Sequence, residues 1–137
     1  MVNWTDVITM ARTVWGEARG EGHAGEVAVA HVILNRFNSK EWFAGKTLAE
    51  TCTKPYQFSC WNTSDPQHQA VARAESDTPG MADCLQAVME AIQNPAGDPT
   101  MGATHYRADY IDPPAWAKPP AVETVKIGRH IFYKGVD

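Results

Sequence analysis

Ala11-Arg12-Thr13-Val14-Trp15-Gly16-Glu17-Ala18-Arg19-Gly20-Glu21 runs without a break into Gly22-His23-Ala24-Gly25-Glu26-Val27-Ala28-Val29-Ala30-His31-Val32-Ile33-Leu34-Asn35-Arg36. Around its first half, Val7, Ile8, Ala11, Val14, Trp15 and Ala18 recur at intervals of three and four, which predicts one apolar face of a helix from Thr5 to about Arg19. Asn3 followed by Asp6 supplies an N-cap with an acidic residue in the first turn. Gly20 and Gly22 interrupt the pattern, and a second helix runs from about Gly25 to Phe37. Its interior is apolar on nearly every side, so it is read as buried within the domain. Two helices meeting at a glycine-rich, charged corner are the frame around which the rest must pack.

Outward from that corner, Thr47-x-x-Glu50 reads as a capping box opening a short helix toward Cys52. Asp65-Pro66 and Thr78-Pro79 read as cap-then-proline helix starts. Met81, Cys84, Leu85, Val88, Met89 and Ile92 form another apolar stripe. Beyond residue 94 come six of the nine prolines. Val122–Ile127 and His130–Tyr133 then flank Gly128-Arg129, a two-residue connection with glycine first, which suits a type II′ hairpin. Helices first and a small sheet after point to an α+β class, mainly helical, with a small C-terminal antiparallel β-sheet.

At 137 residues the chain reads as one domain, residues 1–137. Sixteen acidic against twelve basic residues give a net charge of -4 and a pI near 5.7. That balance argues against a nucleic-acid partner, which calls for a basic stripe. It also argues against attraction to anionic membrane surfaces. No apolar run approaches the roughly 20 residues that span a bilayer, and the N-terminus lacks the basic-then-apolar pattern of a signal peptide. Cys52, Cys60 and Cys84 allow at most one intrachain disulfide, with three possible pairings, and otherwise read as reduced, buried thiols. Their spacing builds no zinc knuckle, and no H-E-x-x-H or H-x₃₋₅-H occurs, so no metal and no cofactor is expected.

The densest polar cluster is the corner itself. Glu17 and Glu21 stand four apart and share a face if the helix continues that far. A carboxyl in the last helical turn faces the negative end of the macrodipole. Trp15 as an aromatic wall, and Glu21 as a like charge, would further favour the protonated form that a general acid for glycosidic cleavage needs. Arg19, two residues on, should point elsewhere. Glycines at 16, 20, 22 and 25 suggest that something large approaches the backbone closely. The plain alternative is a solvated helix end carrying a like-charge pair.

Two further clusters set aromatic rings beside amides and hydroxyls: Tyr56-Gln57-Phe58-Ser59-Cys60-Trp61-Asn62, and Thr104-His105-Tyr106 followed by Trp116. Such mixtures suit a sugar-binding groove, where rings cover C–H faces and polar groups fix hydroxyls. Gln57, Phe58, Trp61, His105, Tyr106 and Trp116 are therefore candidate groove residues. Phe58 fits a core position as readily, and His105 on a short strand fits a merely structural role. His130 is read as structural. No G-x-S-x-G elbow is present. The G-x-G-x-x-G letters at Gly20–Gly25 follow a helix rather than a strand, so they make no phosphate loop.

With these motifs in hand, the chain resembles the SleB-type cell-wall hydrolases, a family of spore-cortex-lytic enzymes and related bacterial and phage lysins. The resemblance runs from the Ala11–Glu21 and Gly25–Arg36 blocks through Gln57-Phe58-Ser59, Asp98-Pro99-Thr100, Gly102–Tyr106, Trp116-Ala117 and Ile127–Tyr133. It implies a lysozyme-like, lytic-transglycosylase-like fold. It also implies cleavage of the β-1,4 bond between N-acetylmuramic acid and N-acetylglucosamine in peptidoglycan glycan strands. The family's catalytic glutamate falls on Glu17; its usual tyrosine before Gly-Glu is Trp15 here.

A lytic transglycosylase needs only that one carboxyl, whereas a true hydrolase needs a second, for which Glu21 is the candidate. A zinc-dependent peptidoglycan amidase and a non-catalytic glycan-binding module are the readings from other classes. With no signal peptide or wall-binding segment in view, the expectation is a phage-type endolysin. It would be a monomer without membrane association, made in the host cytoplasm and reaching the wall through holin-type release.

Overall fold

The computed structural model describes all residues 1–137. Helix α1 spans Trp4–Ala18, and its start is tied both ways: the Asn3 side chain accepts the Asp6 N–H, and the Asp6 carboxylate accepts the Asn3 N–H. The other Asp6 oxygen accepts the Ala49 N–H at 3.0 Å. One buried carboxylate thus caps α1 and fastens it to the short helix α3, Leu48–Thr53. Helix α2, Gly22–Ser39, extends beyond its sequence reading at both ends and buries Val27, Ala28, Val29, Ala30, Val32 and Ile33. A helix with no wet side in its middle must be covered all round. Helices α1 and α5 (Met81–Gln93), α3 and strand β2 (Val122–Ile127) all pack on it.

Two helix starts differ from their sequence reading. Helix α4 spans His68–Arg73 and begins three residues after Asp65; the Asp65 carboxylate instead accepts the Gln67 N–H, tightening the turn before the helix. Thr78 likewise closes the turn back to the Glu75 N–H, and α5 starts after Gly80, whose φ of +89° ends the turn. In both places the polar side chain serves an adjacent turn. The Thr47 hydroxyl does cap α3 through the Glu50 N–H, while the Glu50 carboxylate reaches past the cap to the Lys46 N–H. The α5 stripe is rotated slightly: Ala87 and Ala91 are buried and Met89 is exposed.

The sheet is antiparallel in the order β1-β3-β2, with β1 at His105–Ala108 and β3 at His130–Lys134. The hairpin turn is Gly128-Arg129: Gly128 takes φ +59° while Arg129 stays outside the left-handed region, the II′ combination. Phe132, fully buried in the middle strand, joins the sheet to the core built by Met10, Val14, Val29, Ile33 and Val88. The α+β class, mainly helical with a small antiparallel sheet, is borne out. No helix is long and apolar enough to cross a membrane.

Candidate active site

Glu17 sits in the last turn of α1, and the glycine before it lets the neighbouring chain come close. A Cβ on Gly16 would lie 2.7 Å from the Cys60 Cβ, 2.8 Å from its sulfur and 2.9 Å from a Val71 methyl. The approach anticipated from the glycines is therefore made at Gly16 by the protein's own 3-10 turn, Ser59–Trp61. Gly20, by contrast, faces open space. That contact delivers the Cys60 N–H to the Glu17 Oε2 at 3.2 Å. The turn is fastened again by the Trp61 indole N–H, which donates to the Thr13 hydroxyl at 2.9 Å.

The other carboxylate oxygen, Oε1, accepts the Tyr106 hydroxyl in a short hydrogen bond. Burial, then the charge of Glu17 and the bond to it, push the Tyr106 hydroxyl well above the ordinary phenol range. It therefore stays a donor. The Tyr106 ring packs against His130, with centroids 4.8 Å apart, and against Phe132 at 5.6 Å.

Arg36 and Asn35, at the far end of α2, bring these distant segments together. The Arg36 guanidinium is buried; its Nε donates to the Thr104 carbonyl at 2.5 Å, and one Nη reaches the Gln57 carbonyl and side-chain oxygen at 3.4 Å. It lies 4.3 Å over the Phe58 ring. A planar, forked cation makes those contacts at once, which a lysine cannot do. Asn35 donates to Asp98 at 2.9 Å and to the Ala103 carbonyl at 2.8 Å. Burial works to raise Asp98, but hydrogen bonds from Thr100, Asn35 and the Gly102 N–H outweigh it and hold the carboxyl below its ordinary value. The loop leading into β1 is thereby fixed, and Tyr106 with it. Nothing in the local sequence around Arg36 marks this role.

Of the other corner residues, Arg19 points away from Glu17 as expected, whereas Trp15 and Glu21 sit differently from their sequence reading. Positions two apart on a helix lie about 200° apart around its axis. That turns Arg19 away from Glu17, and it turns Trp15 away as well. The Trp15 indole is buried, donates to the Pro79 carbonyl at 2.9 Å, and carries the Arg19 guanidinium 4.0 Å over its ring. Trp15 is therefore no wall for Glu17; Tyr106 and Cys60 take that place. Glu21 lies beyond the end of α1, so the two carboxyls are not successive rungs of one helix. Its Oε1 accepts the Arg129 N–H at 3.0 Å, clasping the β2–β3 turn to the corner. Glu17, Glu21 and Gln67 nevertheless line one open cleft of about 290 Å³.

A second cleft of about 260 Å³ contains Gln57, His105, Tyr106 and Trp116 together with Arg36 and the exposed Trp42 and Tyr56. Tyr106 lines this cleft and its hydroxyl bonds to Glu17, which lines the first, so one hydrogen bond joins the walls of the two hollows. Trp61 lines a third hollow with Asn62 and, again, Tyr56. Phe58 is the exception: at 1% exposure it offers no face to a ligand and serves as the core platform beneath Arg36. His105 is mostly buried, its ring edge-on to Phe43 and 5.1 Å from Trp116. Burial, and next the Arg36 charge, push its imidazole down to about 3. It is a neutral hydrogen-bonding group at ordinary pH.

The three cysteines are free and buried, and burial pushes the Cys52 and Cys84 thiols up to about 12. No three His, Cys, Asp or Glu side chains converge as a metal site would require.

The chain matches the family model for cell wall hydrolases over residues 20–133, a span that opens just after Glu17. It is 33% identical over 129 residues to the spore cortex-lytic enzyme of Bacillus subtilis (strain 168), covering 93% of this chain and 37% of that protein. To the spore cortex-lytic enzyme of Halalkalibacterium halodurans it is 33% identical over 133 residues, covering 93% of this chain and 34% of that one. The chain thus spans little more than a third of the length of these curated relatives. Among solved structures, the catalytic domain of the Bacillus cereus SleB protein superposes with a TM-score of 0.78 at 29% identity, over 98% of this chain and 93% of that one. The catalytic domain of the germination-specific lytic transglycosylase SleB from Bacillus anthracis gives 0.75 at 31%, over 97% of both.

Proposed function

The chain belongs to the cell wall hydrolase family, and from that premise we propose that residues 1–137 act as one catalytic unit on peptidoglycan glycan strands. The reaction is cleavage of the β-1,4 bond between N-acetylmuramic acid and N-acetylglucosamine, as a lytic transglycosylase with Glu17 as its single catalytic carboxyl. The observation that carries this reading is the mounting of Glu17. One oxygen is held by a hydroxyl that comes from the wall of the second cleft and the other by a backbone N–H, while Glu17 itself lines the first cleft. A carboxyl restrained at both oxygens keeps its orientation through a proton transfer, which is what a general acid requires. The likeness to a structure described as a lytic transglycosylase adds support.

In the proposed sequence, protonated Glu17 gives its proton to the glycosidic oxygen as the C1–O bond breaks and positive charge develops on the sugar ring. The resulting carboxylate takes a proton from the C6 hydroxyl of the same muramoyl residue, and O6 closes on C1. The products are an N-acetylglucosamine 4-hydroxyl and a 1,6-anhydromuramoyl end; Glu17 is protonated again and no water is consumed. The Tyr106 hydroxyl and the Cys60 N–H stabilise the carboxylate formed midway. Gln57, His105 and Trp116, beside Tyr106, bind the flanking sugars, with Trp61 farther along the groove.

A muramidase using Glu21 as second carboxylate is the competing reading, because Glu21 shares the Glu17 cleft. Paired substitutions separate the two. Glu17→Gln is expected to abolish turnover on purified sacculi with the fold retained. Glu21→Gln is expected to keep most of the activity, because Glu21 serves the hairpin turn. Loss of turnover in Glu21→Gln as complete as in Glu17→Gln, with native circular dichroism, would favour the muramidase instead.

A further inference from the structure

Lys54-Pro55-Tyr56-Gln57 is a turn closed by the Gln57 N–H on the Lys54 carbonyl at 3.2 Å, with Tyr56 at φ +65°. Proline second and a positive φ third is the type II pattern, in which the third place favours glycine. Here it holds a tyrosine that is 85% exposed. The core gains nothing from that ring, and the backbone bears a conformation that glycine adopts freely and tyrosine only at a cost.

The ring's position gives the reason. Tyr56 borders both the cleft that contains Tyr106 and the hollow that contains Trp61. Trp42, 60% exposed, lies on the rim of the same Tyr106 cleft. Trp42 is followed by the buried Phe43 and meets its ring edge-on at 5.5 Å, while Tyr56 stands two residues before the buried Phe58. The same cleft is lined by Gln57, His105 and the buried Arg36, which carry hydrogen-bonding groups. Two exposed rings beside such polar groups match the two kinds of surface on a pyranose, apolar C–H faces and a polar hydroxyl edge.

We propose that Tyr56 and Trp42 are the ring-stacking residues of a sugar subsite outside the cleft that Glu17 lines, which makes the enzyme prefer long glycan strands to short ones. The inference rests on the glycan-cleaving reading above. Its test is equilibrium binding of chitohexaose and chitobiose to Glu17→Gln protein, so that turnover does not interfere. Adding Tyr56→Gly or Trp42→Ala should weaken chitohexaose binding about five- to tenfold, the scale of one lost aromatic contact. Chitobiose binding should be unchanged, and Tyr56→Phe should restore the hexasaccharide affinity. Because glycine suits the turn, Tyr56→Gly should melt no lower than its parent, so weakened binding cannot be blamed on misfolding. Chitohexaose bound equally well with and without both rings overturns the subsite and leaves the glycosidase reading standing. A parent that binds no chitohexaose, in an enzyme that also releases nothing from sacculi, overturns the glycosidase reading and the subsite together.

Discussion

Glu17 shows how a side chain can be named from its neighbours in sequence while the groups that govern it are contributed by distant residues. Tyr106 lies 89 positions away and the Cys60 N–H 43. Trp15, two positions away, faces elsewhere because a helix separates i and i+2 by about 200°. On the proposed function the Tyr106 hydroxyl positions Glu17, and its removal should give a defined result. Tyr106→Phe keeps the ring in its cleft and deletes a hydrogen bond to a charged acceptor, worth about 1.5–3 kcal/mol when intact. If that bond acts on the carboxylate formed during cleavage, kcat should fall about ten- to hundredfold with KM little changed. A rise in KM with kcat intact would make Tyr106 a substrate contact only.

At the scale of elements, helix faces and the hairpin were legible in the sequence because their causes are local. Apolar residues at helical intervals give α1 and α5, a nearly continuous apolar run gives α2, and Gly128 gives the turn. Asp65 and Thr78 misled because the same side chains serve turns as well as caps. What was not legible is the way elements are bolted together: Arg36 on Thr104 and Gln57, Asn35 on Asp98, and the Ser59–Trp61 turn against Gly16. The glycines of the corner illustrate the difference, since in the sequence they read alike, as one cluster, and in the fold their surroundings differ. Gly16→Ala should destabilise the protein by about 1–3 kcal/mol through overpacking against Cys60 and Val71, and should lower activity by displacing the Cys60 N–H. Gly20→Ala meets nothing within 4 Å and should be neutral or slightly stabilising. Urea midpoints of the two variants check the pair; equal midpoints would contradict the packing assigned to Gly16.

Over the whole molecule, a net charge of -4 gives no overall electrostatic attraction to an anionic wall, and on the proposed function this unit grips its glycan through the groove and its rings. The same molecule should lose stability in acid through its buried and half-buried histidines. His105 is pushed down to about 3 by burial and by Arg36, and His31 and His130 are lowered by burial. An unfolded histidine takes its proton near 6.5, so below that pH the unfolded chain binds protons that the folded one refuses. The stability due to neutral His105 is complete above pH 6.5 and is lost as pH falls toward 3. Urea unfolding at pH 7 and pH 5 should show a clear loss, at most about 1.4 kcal/mol per pH unit for one histidine, and His105→Gln should lose less. An identical pH dependence in that variant would contradict the lowering assigned to His105.

The central claim, one carboxyl and no hydrolytic water, has a direct chemical readout. Sacculi digested in water enriched in heavy oxygen should give muramoyl ends that are 1,6-anhydro by mass and carry no heavy oxygen. Reducing muramic ends labelled with heavy oxygen would contradict it and place a second carboxylate, Glu21 first, in the mechanism.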